Sequence, residues 1–451
     1  METKRSSFTG KIGFVLAAAG SAVGLGNIWR FPYLAAKYGG GIFLLVYIAL
    51  SVTFGFSLMV AEVAIGRKTG QSPIGAFRAL DKRFSFVGVL AAVVPAIILP
   101  YYSVIGGWVM KYIAGFVTGQ GSAMASDAYF GEYIGKTGEP LLWFALFMGL
   151  TALVVLLGVD KGIEKVSKVM MPALIVLILF IAIYSIVAVD GALDGVIYYI
   201  KPDFAKFSWK TVVAAMGQLF YSMSLAMGIM ITFGSYMKKE ISIEKSAHQI
   251  EIFDTGVAFL AGLMIIPAVF AFGGEQALGA SGPSLMFKTL PKIFDTMPGG
   301  DFIGAAFFIM VFFAALTSSI SLMETVVSTL LDKVKLNRKL CSVIVLAFSL
   351  LVGAVSSLGY SAWSNVTLLG MQFLDFFDFI SNSVIMPVVA LATSIFVGFV
   401  LKPQAVIDEV ELSDKFKWKK LFSVMIRYVA PVCILAILVT SILSAFTDFK
   451  L

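Results

Sequence analysis

Apolar residues run along this chain in about eleven stretches, near residues 12–37, 41–66, 84–118, 141–158, 165–189, 209–237, 248–274, 300–331, 340–358, 370–400 and 422–446. A hydrocarbon core about 30 Å thick takes about 20 apolar residues of helix to cross. The pattern therefore predicts an all-α polytopic membrane protein with about eleven transmembrane helices. The first stretch is not an ordinary helix. It holds Gly20-Ser-Ala-Val-Gly-Leu-Gly26 and then Asn27, Arg30 and Pro32. Glycine and proline weaken helical continuity, and an unpaired backbone group in hydrocarbon costs several kcal/mol or so. Such a break persists where it lines a cavity that something fills. Freed carbonyls attract a cation and freed amides attract a carboxylate, so the stretch predicts a zwitterion site with a sodium ion beside it. Close helix packing through small residues would explain the glycines but not Asn27, Arg30 or Pro32.

The sixth stretch is interrupted in the same way, by the glycine-bounded polar patch Gly217-Gln-Leu-Phe-Tyr-Ser-Met-Ser-Leu-Ala-Met-Gly228. Stretches one and six are matching members of two five-helix halves, about 10–190 and 208–400, with an extra helix at about 421–446. Interrupted helices in corresponding positions point to a transporter site at the bilayer midplane. The eighth stretch adds the hydroxyl knot Ala314-Ala-Leu-Thr-Ser-Ser-Ile320. Any one of these hydroxyls could simply cap a carbonyl of its own helix, but three adjacent ones suggest a site.

Composition agrees: 59% of the 451 residues are hydrophobic and 14% charged, which excludes a soluble domain of this length. The net charge of +7 is spread through short loops, so it reports topology and not nucleic-acid binding. Lys and Arg concentrate after stretches two, four, six, eight and ten, as at Arg67-Lys68, Lys161 to Lys168, Lys238-Lys239, Lys333 to Lys339 and Lys415 to Lys420. The positive-inside rule then places the N-terminus in the cytoplasm of a multi-pass protein of the cell (inner) membrane, and an odd helix count puts the C-terminus outside. The first apolar stretch is too long and too broken for a cleavable signal peptide. Cys341 and Cys433 both fall inside spans, which argues against a disulfide framework. The single His248, beside a basic loop, reads as a surface residue.

Ionisable residues inside spans are functional hypotheses by default. Glu62, in stretch two, reads as the brace of the break in stretch one. Arg30 and Asp378 lie near one depth and predict an ion pair that opens and closes; Arg5 and Asp332 predict a matching pair on the other side. Asp254 lies inside stretch seven, where a carboxylate could bind a cation directly.

Gly20 to Pro32 closely resembles the signature of the neurotransmitter:sodium symporter family. Tyr101-Tyr102 with Trp108, Gly217 to Ser224, Ala314 to Ser319 and the paired aspartates of stretch ten are similar to the family as well. The resemblance covers nearly the whole chain in order, and within the family it favours the bacterial amino-acid transporters. It implies a fold of two inverted five-helix repeats with helices one and six unwound. It also implies two sodium sites. In the first, Ala22, Asn27, Ser222 and Asp254 match the coordinating positions; in the second, Gly20, Val23, Ala314, Thr317 and Ser318 do. The implied amino-acid site runs along Ser21, Ala22, Val23, Gly24, Leu25 and Gly26. Tyr102 and the amides near Leu25 and Gly26 meet the carboxylate, and carbonyls near Ala22, Tyr221 and Ser224 meet the ammonium. The side chain packs on Val23, Ile98, Tyr221, Ser224, Met227, Ser318 and Leu322, with Ser222 adjoining.

Two departures sharpen the expectation. Asp254 stands where many animal members carry Asn and need chloride, and Ala258 stands where a Ser would ligate it, while Tyr47, Gln218 and Ser222 keep the rest of that cage. Chloride is therefore expected to be dispensable, and Asp254 is a candidate to take up a proton on the return step. The implied side-chain wall has no Lys, Arg or extra acid, and flexible Met227 occupies a position that is often aromatic. The expected substrates are hydrophobic L-amino acids, branched and aromatic, carried with sodium by alternating access. Gly162 and Pro172 resemble a family motif tied to local unwinding of helix five. The alternatives are a non-transporting amino-acid receptor or a symporter for another small zwitterion. An enzyme is not expected, because no nucleophile–base set or metal cluster is present.

Overall fold

The computed structural model describes residues 7–277, 282–334 and 336–446. Among them the chain is helical, with two isolated β-bridges and no named strand. The first apolar stretch becomes α1 (Lys11–Ala22) and α2 (Gly26–Lys37), which meet at 53°. It continues into α3 (Gly41–Thr69), α4 (Lys82–Val117), α5 (Gly138–Leu156) and α6 (Val159–Ala188). The sixth stretch is broken into α7 (Trp209–Ser222) and α8 (Ile229–Gly234). There follow α9 (Ile243–Phe272), α10 (Gly300–Lys333), α11 (Arg338–Leu358) and α12 (Phe373–Val400). A short α13 (Pro403–Glu411) leads to α14 (Lys419–Leu443).

Nine of these helices are long and apolar enough to cross a membrane unbroken, and the bent pair α1–α2 makes a tenth span. The eleventh expected span is the α7–α8 stretch, whose two pieces are each too short to cross alone. Large apolar side chains such as Val176, Ile183, Leu351 and Val432 are exposed on the outside, as a lipid-facing surface requires. The α10 helix is the most enclosed span, with 83% of its apolar window buried. It packs along α4 and against α1, which puts its hydroxyl knot beside the first break.

The second break is built from unusual backbone. Ser224 (φ +53°) and Ala226 (φ +60°) are both left-handed, alternating with ordinary residues up to Gly228 (φ +69°). That conformation costs an L-residue about 1–2 kcal/mol. Each strained residue has an anchor. Ser224 Oγ donates to Ser21 O at 2.9 Å, and Ala226 N donates to Glu62 Oε1 at 2.7 Å. A hydrogen bond contributes about 0.5–1.5 kcal/mol net, so each anchor is similar in size to the strain it offsets. This corrects the reading of Glu62, which braces the second break and not the first. Its carboxyl group reaches the segment just before α8 because α3 packs against α8.

Two more sequence readings are corrected by packing. Arg67 is not a free loop charge. Its side chain is 1% exposed; Nε donates to Glu409 Oε1 at 2.8 Å, and the guanidinium also reaches Glu409 O and Ile241 O. His248 is half-buried, stacked on Phe56 at 4.3 Å with Trp418 at its edge.

Candidate functional site

The two breaks face each other, and two glycines let their walls close. A Cβ on Gly24 would lie 2.8 Å from Ser318 Oγ and 3.1 Å from Tyr102 OH; one on Gly26 would lie 2.4 Å from the Tyr221 ring. Between the breaks is a cavity of about 30 Å³. Of the expected substrate residues, Ser21, Ala22, Gly24, Leu25, Gly26, Ile98, Tyr102, Tyr221, Ser224, Met227, Ser318 and Leu322 line it. Val23 and Ser222 do not. The Val23 side chain is fully buried elsewhere, and the Ser222 hydroxyl is turned toward Asp254. Ile229 lines the cavity and was not expected. As the first residue of an apolar helix it carries no mark in the sequence. Tyr102 OH accepts from Leu25 N at 3.3 Å, so the phenol already sits on a freed amide of the first break.

One oxygen cluster joins α2, α3, α7 and α9. Asn27 Nδ2 donates to Asp254 Oδ1 at 2.7 Å, Asp254 O at 3.2 Å and Ser222 Oγ at 3.1 Å. Ser222 Oγ donates to Asp254 Oδ1 at 2.6 Å, and Tyr47 OH donates to Asp254 Oδ2 at 3.1 Å. Asn27 and Asp254 are both fully buried. Three oxygens thus converge on the positive end of one amide, as they would on a cation. A cation there requires the amide to turn over, because an NH₂ group has no lone pair to offer. Gln218 Nε2 donates to Gly26 O at 2.9 Å, which ties α7 to the end of the first break.

A second cluster joins α1 to α10. Ser318 Oγ lies 3.4, 3.1 and 3.2 Å from the carbonyl oxygens of Gly20, Ser21 and Val23. Thr317 Oγ1 lies 3.2 Å from Ala314 O and 2.9 Å from Phe313 O. A hydroxyl has one proton to donate, so acceptors outnumber donors here. That imbalance suits a hard cation held by oxygen, the ligand type such ions prefer. Groups of three or more His, Cys, Asp or Glu with metal-ligand spacing are absent among the described residues.

Beyond Tyr221 lies a larger cavity of about 360 Å³, lined by Arg30, Tyr101, Asp375, Asp378 and Asn382, with Tyr221 in both walls. Arg30 lies over the Tyr221 ring at 5.3 Å. Asp378 accepts from Tyr101 OH at 3.1 Å and from Asn382 Nδ2 at 2.7 Å. Arg30 and Asp378 therefore share a chamber as expected, but no described ion pair joins them. At the far end Asp332 Oδ2 accepts from Ser72 N at 2.7 Å. Its expected partner Arg5 lies outside the described residues.

The N-terminal approach to α1 is also fastened. Thr9 N donates to Glu164 Oε2 at 2.8 Å, the Thr9 hydroxyl bonds the same carboxylate, and Lys168 Nζ donates to it at 2.6 Å. Glu164 closes the π-helical turn Val159–Glu164 that contains Gly162.

A bundle of membrane-crossing helices, two of them broken toward one small neutral cavity with oxygen clusters at its side, has the architecture of a secondary transporter. The sequence pattern of the Sodium:neurotransmitter symporter family matches residues 5–125 and 124–450. The chain is 35% identical over 447 residues to the uncharacterized sodium-dependent transporter YhdH of Bacillus subtilis, covering 97% of each protein. It is 31% identical to the uncharacterized sodium-dependent transporter MJ1319 of Methanocaldococcus jannaschii, over 96% of this chain and 90% of that one. Among solved structures it is similar to MhsT in complex with L-phenylalanine, with TM-score 0.87 and 37% identity, covering 98% of this chain and 100% of the other. The chain belongs to the sodium:neurotransmitter symporter family. It is a sodium-dependent symporter with a membrane-spanning helical fold, and not an enzyme.

Proposed function

We propose that this symporter takes up hydrophobic L-amino acids, both branched and aromatic, together with two sodium ions and without a need for chloride. The observation that carries the substrate class is the cavity wall. Ile98, Met227, Ile229 and Leu322 supply apolar surface, and no charged side chain lines the cavity. A charged side chain there would be desolvated without a partner, a cost of several kcal/mol or so. The likeness to MhsT bound to L-phenylalanine supports the same class.

The α-carboxylate meets Tyr102 OH and the amides at Leu25 and Gly26, while the ammonium meets carbonyls at Ala22, Tyr221 and Ser224. One sodium ion takes Ala22, Asn27, Ser222 and Asp254, and the other takes Gly20, Val23, Ala314, Thr317 and Ser318. Asp254 supplies the fixed negative charge that a bound chloride would otherwise contribute. A cavity of about 10–15 Å³ holds one water, so the cavity of about 30 Å³ parts its walls to admit an amino acid. Tyr221, shared by both chambers, is the panel that moves. Arg30 and Asp378 close over it, and Arg5 with Asp332 closes the opposite side. The N-terminus is cytoplasmic and the protein lies in the cell membrane; the two five-helix halves, 10–190 and 208–400, rock around the site.

The test is a panel of labelled amino acids taken up by proteoliposomes under an inward sodium gradient. Leucine, phenylalanine or tryptophan accumulate, and lysine and glutamate do not compete. Equal competition by lysine or glutamate overturns the substrate class.

A further inference from the structure

The connection between α6 and α7 carries chemistry that the central site does not use. α6 starts beside Thr9 and runs for 30 residues, so residues 189–208 lie at the end of the bundle opposite the N-terminal approach. A short helix, Ala192–Ile200, packs there on α9. Its buried face is Ala192, Gly195 and Tyr199, with Tyr199 OH donating to Phe259 O at 3.2 Å. Its other face, Leu193, Ile197 and Ile200, is apolar at helical spacing and exposed. Phe204, Phe207 and Trp209 follow, also exposed, Trp209 by 80%. This patch follows Val187 at the lipid-facing end of α6. Aromatic side chains so placed gather where a bilayer meets water.

Lysines are set into the patch. Lys201, Lys206, Tyr198, Asp203 and Gly39 line a cavity of about 320 Å³, and Ile197 belongs both to its wall and to the apolar stripe. The turn between α2 and α3 supports it through three glycines. A Cβ would fall 2.9 Å from Lys206 Cβ at Gly39, 2.2 Å from Tyr198 O at Gly40 and 2.5 Å from Lys201 C at Gly41. Tyr198 OH donates to Ala36 O at 2.6 Å, and Lys206 Nζ lies 4.9 Å from the centre of the Tyr198 ring. Both lysines therefore leave a backbone that is fixed in place. Asp203 is engaged locally, its Oδ1 accepting from Ala205 N at 3.0 Å. No described ion pair includes Lys201. Two ammonium groups against one carboxylate leave the cavity positive, and the acids that precede it, Asp190 and Asp194, do not line it.

We propose that the cavity beside Lys201 and Lys206 binds the phosphodiester headgroup of an anionic phospholipid, whose acyl chains lie on Ile197 and Ile200 toward the lipid-facing end of α6. The apolar patch selects a lipid over a free anion, because a soluble phosphate would leave Phe204, Phe207 and Trp209 uncovered. Lysine stems rest on apolar surface while their charged ends reach a headgroup. A zwitterionic headgroup brings its own ammonium, which meets the two lysines as a like charge and is held less well. The bound lipid ties the connection that leads into α7, the second broken helix, to the bilayer surface.

The experiment reconstitutes the purified full chain in nanodiscs of phosphatidylcholine with increasing phosphatidylglycerol. It reads quenching of Trp209 fluorescence by either lipid brominated on its acyl chains, taken as the difference from Trp209→Phe. A lysine near an anionic surface contributes about fivefold in affinity, so the pair contributes about 25-fold. Wild type is expected to prefer brominated phosphatidylglycerol by at least about tenfold, and Lys201→Ala with Lys206→Ala to bring the two lipids within about twofold. Lys201→Arg with Lys206→Arg keeps the preference. Lys161→Ala with Lys165→Ala removes the same charge from exposed positions at the other end of α6 and also keeps it. Equal quenching by both lipids in wild type, an unchanged preference in the Lys201 and Lys206 alanine pair, or an equal loss in the Lys161 and Lys165 pair overturns the proposal. Inorganic phosphate that abolishes the preference where sodium chloride of the same ionic strength does not also overturns it, since the cavity then holds a free anion.

Discussion

Asn27 Nδ2 lies 2.7 Å from Asp254 Oδ1, joining the end of the first break to the middle of α9. The amide's positive end stands among three oxygens where a cation's charge would also be favoured, so a sodium ion at the proposed site would compete with this hydrogen bond for one place. Removing the charge weakens the cation's side of that competition. Two unit charges 4 Å apart interact by about 4 kcal/mol at an effective dielectric of about 20. Even a third of that raises the sodium needed by about tenfold. Asp254→Asn is expected to shift the sodium titration of substrate binding at least that far; an unshifted titration would show that Asp254 is not a cation ligand.

The same carboxylate makes a prediction about anions. Replacing chloride with gluconate is expected to leave wild-type uptake unchanged if, as proposed, Asp254, which Tyr47 OH meets at 3.1 Å, supplies the negative charge there. Uptake that stops in gluconate would remove this assignment.

Thr317 offers a test confined to the second oxygen cluster, since it does not line the substrate cavity. Thr317→Val keeps the branched shape and deletes the hydroxyl that bonds Phe313 O and Ala314 O. The expected cost in stability is about 1 kcal/mol, with a sodium half-saturation at least tenfold higher by the same arithmetic as a lost 1.4 kcal/mol. Sodium dependence identical to wild type would exclude a role for this hydroxyl in ion binding.

Glycines separate close approach from mere helix packing. Gly24→Ala would drive a methyl into Ser318 Oγ and Tyr102 OH and is expected to abolish substrate binding. Gly256→Ala meets nothing within 4 Å. It is expected to leave uptake intact and to stabilise α9 by about 0.5–1 kcal/mol. Comparing binding and thermal unfolding of the two variants checks both; retained binding in Gly24→Ala would mean the first break need not be this tight.

The breaks were legible because glycine, Asn27, Arg30 and Pro32 have no business in an ordinary spanning helix, and the polar patch after Gly217 repeats the anomaly. Residues of the two broken stretches make up part of the cavity wall, but Ile98, Tyr102, Ser318 and Leu322 came from the family resemblance, and Ile229 carried no signal. Partners across helices were not legible. Glu62 was visible as a buried acid, but only the packing of α3 on α8 reveals that it holds Ala226. Arg67 read as one more positive loop residue until α13 brought Glu409 against it. The left-handed torsions of Ser224 and Ala226 had no signal, since neither residue is glycine. His248 was placed on the surface because its ring partners, Phe56 and Trp418, lie far away in sequence.

Everything turns on whether the two facing breaks hold an amino acid and sodium together. The most direct measurement is accumulation of labelled leucine, phenylalanine or tryptophan by proteoliposomes, with an imposed sodium gradient and then with potassium in its place. Accumulation above equilibrium in sodium, absent in potassium and lost in Gly24→Ala, is the expected result. Accumulation of these amino acids that is indifferent to sodium, or that survives in Gly24→Ala, would contradict the account.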